Sequence, residues 1–284
     1  MTLPLIQLRD PEPPDSLDWS ERLERLRDLI RGLGSVVVAY SGGVDSSLVL
    51  RVAHEVLGEA AVGVIGRSDS YATRELQLAL DQAAEFGARI ETVSTGELSD
   101  PNFRSNPFNR CYFCKQELYR ELTEVALRRG AVILDGTIAD DLSDWRPGRQ
   151  AAAEAQVRSP LAELGFHKAD VRAAAASYGI ASRDKPASPC LASRIPYGTE
   201  ITREILHMVE QGEELLRSLG FSQCRLRHHG EVARIEVPAG EIERLMDPGV
   251  KAQIVEGLKA LGFRFVTVDL EGFRSGSLNP VKPG

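Results

Sequence analysis

The stretch VVVAYSGGVDSSLVLRVAHEVLG, residues 36–58, constrains the fold of this chain more than any other. A run of β-branched residues reads as a strand buried on both faces, glycines follow at once, and a helical pattern then runs to a stop at Gly58. Strand, tight glycine turn and helix form the unit from which parallel sheets are assembled, because parallel neighbours need a crossover connection. The alternation continues through AVGVIG (61–66), the helical TRELQLALDQAAEFG, RIETVST, the helical KQELYRELTEVALRRG and AVILDGT. These segments predict an α/β fold with a doubly wound parallel sheet, whose ligands bind beyond the carboxyl ends of the strands. After one more helix in HKADVRAAAASYG, the proline-rich DKPASPCLASRIPYG breaks the pattern. A helix from Glu204 to Leu219, the strands CRLRHHG and ARIEVP, one or two helices and FRFVTVDL then predict a smaller α+β domain. The expected division is 1–194 and 195–284.

Ser41 to Ser47 fill the first strand-to-helix turn. Gly42 and Gly43 let the backbone approach an anion, the helix start offers unsatisfied N–H groups and partial positive charge, and Ser41, Ser46 and Ser47 add hydroxyl donors. Phosphate is the ligand this combination suits. No Gly-Lys-Ser/Thr follows, so the loop is not a Walker A motif. A second loop, DGTIADDLSDWRPG, carries Gly136 and Thr137 at a strand end and gathers Asp140, Asp141 and Asp144. Any one of these acids has an ordinary reading as a solvated loop residue, but hard oxygen donors beside phosphates are what Mg2+ takes.

The chain has four cysteines, and Cys111 and Cys114 form a CxxC pair. A redox dithiol, half of a zinc site, part of an iron–sulfur cluster and two merely packed thiols are the available readings. The redox reading expects a helix start after a strand, whereas SDPNFRSNPFNRCYFCK reads as a polar loop. Strand alternation in CRLRHHG sets Cys224 and Leu226 on one face and Arg225 and Arg227 on the other, which makes Cys224 a buried apolar residue. Cys190, in SPCLASR, remains available. Three loop thiolates could hold three irons of a [4Fe-4S] cluster and leave the fourth open, while zinc completed by a histidine such as His167 is the competing arrangement.

Thirty-four basic against forty-one acidic residues give a net charge of −7. With no long Lys/Arg block, that balance speaks against a nucleic-acid partner. No apolar run reaches the roughly 18 residues of a membrane helix, and MTLPLIQLRDPEPPDS lacks the pattern of a signal peptide, so a cytoplasmic location with reduced thiols is expected.

SGGVDSS resembles the PP-loop of the N-type ATP pyrophosphatases, which cleave ATP to AMP and pyrophosphate. The ordered set SGGVDSS, NRCYFCK, GTIADDLSDWRPG, VRSPLAELG, DKPASPCLASRIPYGTEIT and RLRHHGEVARIEV resembles the LarE family over about Val36 to Val237. Members are ATP-dependent sulfur transferases in the synthesis of the nickel-pincer nucleotide cofactor of lactate racemase. The resemblance implies that Ser41, Gly42, Gly43, Ser46 and Ser47 hold the β- and γ-phosphates of ATP with Asp45 near Mg2+; Gly136, Thr137, Asp140 and Asp141 of the second loop fit the same site. It implies pyridinium-3,5-biscarboxylic acid mononucleotide as the small-molecule substrate, with Arg194, Arg225 and Arg227 as candidate anion contacts. One branch of the family has a single cysteine at the position of Cys190 and sacrifices its sulfur; another has three cysteines and a [4Fe-4S] cluster. Cys111, Cys114 and Cys190 together resemble the second branch, as catalytic residues and cluster ligands. His167 stands where Thr is commoner and Ile138 where Asn is usual. A homo-oligomer, a hexamer by analogy, is implied. The alternatives are a tRNA thiolase of the same superfamily, an amide-forming ligase, and a non-enzymatic nucleotide sensor or iron–sulfur scaffold.

Overall fold

A computed structural model describes residues 17–143, 147–186 and 188–274. In chain order it begins with α1 (Trp19–Leu33), β1 (Val36–Ala39), α2 (Val44–Leu57), β2 (Ala61–Arg67), α3 (Thr73–Glu85) and β3 (Arg89–Ser94). Next come α4 (Pro101–Arg104), α5 (Arg110–Arg129), β4 (Val132–Leu134), α6 (Gly148–Glu154), α7 (Pro160–Glu163) and α8 (Lys168–Ser177). The remainder holds α9 (Arg203–Ser218), β5 (Arg225–His229), β6 (Val232–Glu236), α10 (Ile242–Leu245), α11 (Pro248–Ala260) and β7 (Phe265–Val268). No helix among the described residues is long and apolar enough to cross a membrane.

The chain divides into two compact units. Residues 1–66, 75–94 and 118–187 make the first, an α/β unit whose parallel sheet has the order β3-β2-β1-β4. β1 lies inside the sheet, with Val36 opposite Ala61 on one side and Val132 on the other. Val36, Val37 and Val38 are fully buried, as their β-branched run predicts. Because β2 and β4 flank β1 on opposite sides, the strand order reverses direction at its carboxyl end. Such a reversal opens a crevice there, and the SGGVDSS turn occupies it. Helix α1, begun by a capping box of Asp18 and Glu21, buries Leu26 and Ile30 and packs on α2 and α8.

The second unit comprises residues 67–74, 95–117 and 188–284. Its three-stranded sheet pairs β5 with β6 antiparallel and β6 with β7 parallel. Leu216, Phe221, Cys224, Leu226, Ile235 and Leu258 form its core, so Cys224 takes the apolar face that strand alternation assigns it. A Cβ on Gly212 would stand 2.1 Å from Leu226 Cδ2, which is why α9 carries a glycine where it crosses β5. The units do not follow one cut in the chain, since two earlier segments, including the CxxC pair, belong with the residues after 188.

One local expectation is corrected. Helix α5 begins at Arg110, so Cys111 and Cys114 stand on its first turn and not in a loop. The turn at Pro107–Asn109 starts it, with Arg110 N donating to Pro107 O and Tyr112 N to Asn109 O. A three-residue spacing then puts both thiols on one helix face.

Candidate functional site: a phosphate loop and a three-cysteine group

In the first unit, Gly42 has φ +69°, and a Cβ there would lie 2.6 Å from Ala79 Cβ, so glycine is required twice over. Gly43 precedes α2 without a side-chain cap, which leaves the helix N–H groups for a ligand. Gly136, just past β4, is held equally close: a Cβ would stand 2.6 Å from Ser46 N. Backbone therefore meets backbone at the helix start. Ser41 Oγ and Ser46 Oγ lie 3.1 Å apart at the turn. Ser47 is different. It is fully buried, donates to Gly43 O at 2.8 Å and accepts from Gln82 Nε2 at 2.6 Å, so its hydroxyl supports the loop and is not placed for the expected phosphate contact. Gln82, which also reaches Tyr40 and Ser182, was not foreseen; a polar residue on the inward stripe of α3 is the signal that marks it.

The acidic loop is organised from within. Thr137 binds Asp135 through both its N–H and its hydroxyl. Asp140 accepts from His167 Nδ1 at 2.6 Å and Lys168 N at 2.8 Å, and these bonds hold its carboxyl below the usual carboxylate range. Asp141 Oδ2 accepts from Ile138 N, and Asp144 lies outside the described residues. His167, the histidine weighed as a zinc ligand, is thus bonded to Asp140. Lys168 is the missed residue here: its ammonium lies 2.8 and 2.9 Å from the two oxygens of Asp45, inside the phosphate loop. A lone lysine at a helix start gives no local hint of a partner 123 residues away.

The three predicted cysteines belong to the second unit, where Cys114 and Cys190 pack against one apolar cluster. Burial and the charge Cys190 would carry push the Cys111 thiol up, and burial, Glu97 and Cys190 push Cys114 up further. A redox dithiol at a helix start typically has its first thiol pushed down, the opposite of the direction at Cys111, although the helix position would suit it. Among the described residues no group of three or more His, Cys, Asp or Glu side chains is already arranged to hold a metal ion. The donors nonetheless suit one in kind, since thiols are the soft ligands that iron and zinc take and a bound metal would remove their protons.

Asn106 links the segments that carry these cysteines. It is fully buried at φ +53°, donates from Nδ2 to Pro196 O at 2.8 Å, and accepts from Arg110 Nη1 at 3.0 Å. Its own carbonyl accepts from Gly198 N at 3.0 Å, and Arg110 lies over the Tyr197 ring. One side chain therefore stitches the start of the CxxC helix to the chain beyond Cys190. Asn106→Ala is expected to cost about 2–4 kcal/mol, from orphaned buried groups plus a left-handed backbone that alanine resists. Denaturant unfolding checks this, and a loss below about 1 kcal/mol would contradict it.

The three arginines are more deeply placed than surface anion contacts. Arg194 is 2% exposed; Nε and Nη2 meet the carboxylate of Glu213 at 2.8 and 3.1 Å, while Nη1 donates to the carbonyls of Pro189 and Cys190. Arg227 donates to Ser193 O at 3.0 Å and pairs with the fully buried Glu236 at 2.8 Å. Both clamp the Cys190 loop from beneath. Arg225 lies against the Phe273 ring, and burial, reinforced by Arg194, brings its guanidinium down to about 10. The signal for Glu213 was legible: a glutamate interrupts the buried stripe Leu206, Val209, Gly212, Leu216 of α9.

The NAD synthase family profile matches residues 19–105, which takes in the phosphate loop and ends before the CxxC pair. An uncharacterized protein of Synechocystis is 46% identical over 92% of this chain and 97% of its own length. The pyridinium-3,5-bisthiocarboxylic acid mononucleotide synthase of Lactiplantibacillus plantarum is 40% identical over 88% of this chain and 91% of its own length. The chain belongs to the LarE family. An uncharacterized protein of Methanocaldococcus jannaschii is 28% identical over 84% of this chain and 91% of its own length. The likeness to LarE-type proteins thus extends across both units, whereas the NAD synthase likeness is confined to the region of the phosphate loop.

Proposed function

We propose that this protein is an ATP-dependent sulfur transferase that adenylylates a carboxylate of pyridinium-3,5-biscarboxylic acid mononucleotide and converts it to a thiocarboxylate. Cys111, Cys114 and Cys190 hold the group that carries the sulfur. Likeness over 88% of the chain to a synthase whose name specifies a bisthiocarboxylic acid product carries the reading.

A carboxylate is a poor acyl donor because oxide would have to leave. In the proposed first step a carboxylate oxygen bonds to the α-phosphorus of ATP and pyrophosphate departs with the electron pair of the broken P–O bond. The N–H groups at Gly42, Gly43 and the start of α2, with the Ser41 and Ser46 hydroxyls, receive that charge. Asp45, Asp140 and Asp141 offer hard oxygens for Mg2+, and Lys168, freed from Asp45, supplies a cation beside the leaving group. Sulfur then displaces AMP from the acyl-adenylate. A [4Fe-4S] cluster, when bound by the three cysteines, supplies sulfur already deprotonated by iron. Arg194 and Arg227 keep Cys190 in place, and Arg225, a guanidinium disfavoured by burial, gains most from an anionic substrate.

Protein supplied with labelled ATP and the biscarboxylate is expected to release AMP and pyrophosphate only when the carboxylate is present. ADP and phosphate without AMP would reject the reading. Arg225→Ala is expected to raise the KM for the carboxylate about tenfold or more and leave ATP binding intact, the loss typical of one charge-assisted bond. A homo-oligomer, a hexamer by family analogy, is part of the same proposal, with mass in solution as its check.

A further inference from the structure

Gln82 lies on α3 between the buried Ala79 and Ala83 and is itself 6% exposed. An amide so placed is costly unless its polar atoms find partners, and here the oxygen and both N–H groups do. Oε1 accepts from Ser182 N at 3.0 Å, which fixes the way the amide faces. Nε2 then directs its two hydrogens to Ser47 Oγ at 2.6 Å and Tyr40 Oη at 3.1 Å, and the tyrosine gives its own hydrogen to Ala79 O at 3.0 Å. Ser47 in turn passes its one hydroxyl hydrogen to Gly43 O at 2.8 Å. A directed chain of bonds thus runs from the turn at Ser182, through Gln82 and Ser47, to the phosphate loop.

The Gly43 carbonyl on which this chain ends also accepts from Ser47 N at 2.9 Å and from Ser46 Oγ at 3.2 Å. These donors turn it along α2, away from the glycine turn. The Gly43–Val44 peptide is trans, so its N–H points the opposite way, out of the helix start. A peptide that swings from this direction takes its N–H off a bound anion and brings a carbonyl dipole toward it. The backbone bond from Ser47 N belongs to a helix end, which frays on its own, and glycine at 43 has no side chain to resist the swing. Of the two serine hydroxyls, that of Ser46 is the one proposed to turn to the phosphates. Ser47, supported by Gln82, is then the side chain left holding the carbonyl when ligand is bound.

We propose that Gln82 is a positioning residue for ATP: through Ser47 it holds the Gly43 carbonyl inward and so aims the Val44 N–H at the outer phosphates. The inference rests on the ATP reading for the identity of the ligand, and it names what keeps the loop in its binding shape before the ligand arrives. Donors held in place beforehand need no ordering at the moment of binding, and that pre-organisation appears as affinity for the groups they meet.

The test measures, by calorimetry with Mg2+ present, the binding of ATP, pyrophosphate and AMP to the full chain as wild type, Gln82→Met, Ser47→Ala and the double variant. Methionine keeps the length of glutamine and removes its donors, and alanine removes a single oxygen. Each single variant is expected to bind ATP and pyrophosphate about tenfold more weakly, the loss of one aligned hydrogen bond. AMP, which lacks the outer phosphates, should bind as it does to wild type. Because both residues act in one chain of bonds, the double variant should be no weaker than the worse single variant. Should Gln82→Met not fold, Ser47→Ala reads the same split between ATP and AMP. Equal losses for ATP and AMP would mark a merely structural residue and overturn the assignment, as would unchanged ATP affinity in the variants or single losses that multiply to about a hundredfold in the double variant. Wild type that binds neither ATP nor pyrophosphate would instead reject the ATP reading itself.

Discussion

Alanine at Cys111, Cys114 or Cys190 abolishes thiocarboxylate formation, while carboxylate-dependent AMP release continues. This outcome is expected because the thiols belong to the second unit and the phosphate loop to the first, so chemistry at phosphorus does not draw on sulfur. All three variants should lose the proposed metal centre, since each removes one of its three thiolate ligands. Cys224→Ala should keep full sulfur transfer. Its thiol is pushed up to about 11 by burial and by Glu213, and its loss empties a little core volume at a cost of about 1–2 kcal/mol in stability. A sacrificial mechanism predicts otherwise: only Cys190 would matter, and the protein after one turnover would be lighter by the elements of hydrogen sulfide. Intact mass before and after turnover decides, and an unchanged Cys190 with turnover sustained by added sulfide is the expected record.

Glu213→Gln should cost about 3–5 kcal/mol, the penalty for leaving one member of a buried ion pair uncompensated. Glu213 is 1% exposed and accepts from Arg194 and Arg217, with Arg225 also acting on it. Burial alone would push its carboxyl up, but Arg194, Arg225 and Arg217 outweigh burial and hold it below the ordinary value. A depressed folded-state value contributes stability that is present above the unfolded glutamate pKa of about 4.3 and is lost as pH falls through the folded value. Wild type and Glu213→Gln should therefore differ most near neutrality and converge on acidification. Because Arg194 carries Glu213's influence to the Pro189 and Cys190 carbonyls, product formation should fall more than AMP release in the same variant. Unfolding curves at pH 7 and pH 4 separate the cases, and a gap of equal size at both would refute the account.

The phosphate loop was legible because strand, turn and helix are local and adjacent in SGGVDSS, and the glycine at 42 is demanded by a backbone angle as well as by Ala79. The burial of Cys224 was also legible, through strand alternation alone. Arg194 was not. In a proline-rich loop it reads as an exposed cation, and its burial follows only from a glutamate nineteen positions later on another element. Lys168 and Asn106 were hidden for the same reason, since their partners lie 123 and 90 residues away. The helix start at Arg110 was overlooked within a polar sequence, although Asn109, a residue type favoured at helix starts, stands next to the first turn.

The bond from Asn106 to Pro196 also sets a schedule. A ribosome adding roughly 5–20 residues per second leaves about 5–18 s between the emergence of the CxxC helix start and that of the segment to which Asn106 ties it. During that interval Cys111 and Cys114 are a bare pair, spaced on a nascent helix turn at a separation that a disulfide can span. Loading of the proposed metal centre would therefore have to follow completion of most of the chain, and it would succeed only in a compartment reducing enough to keep the first two thiols apart until the third arrives.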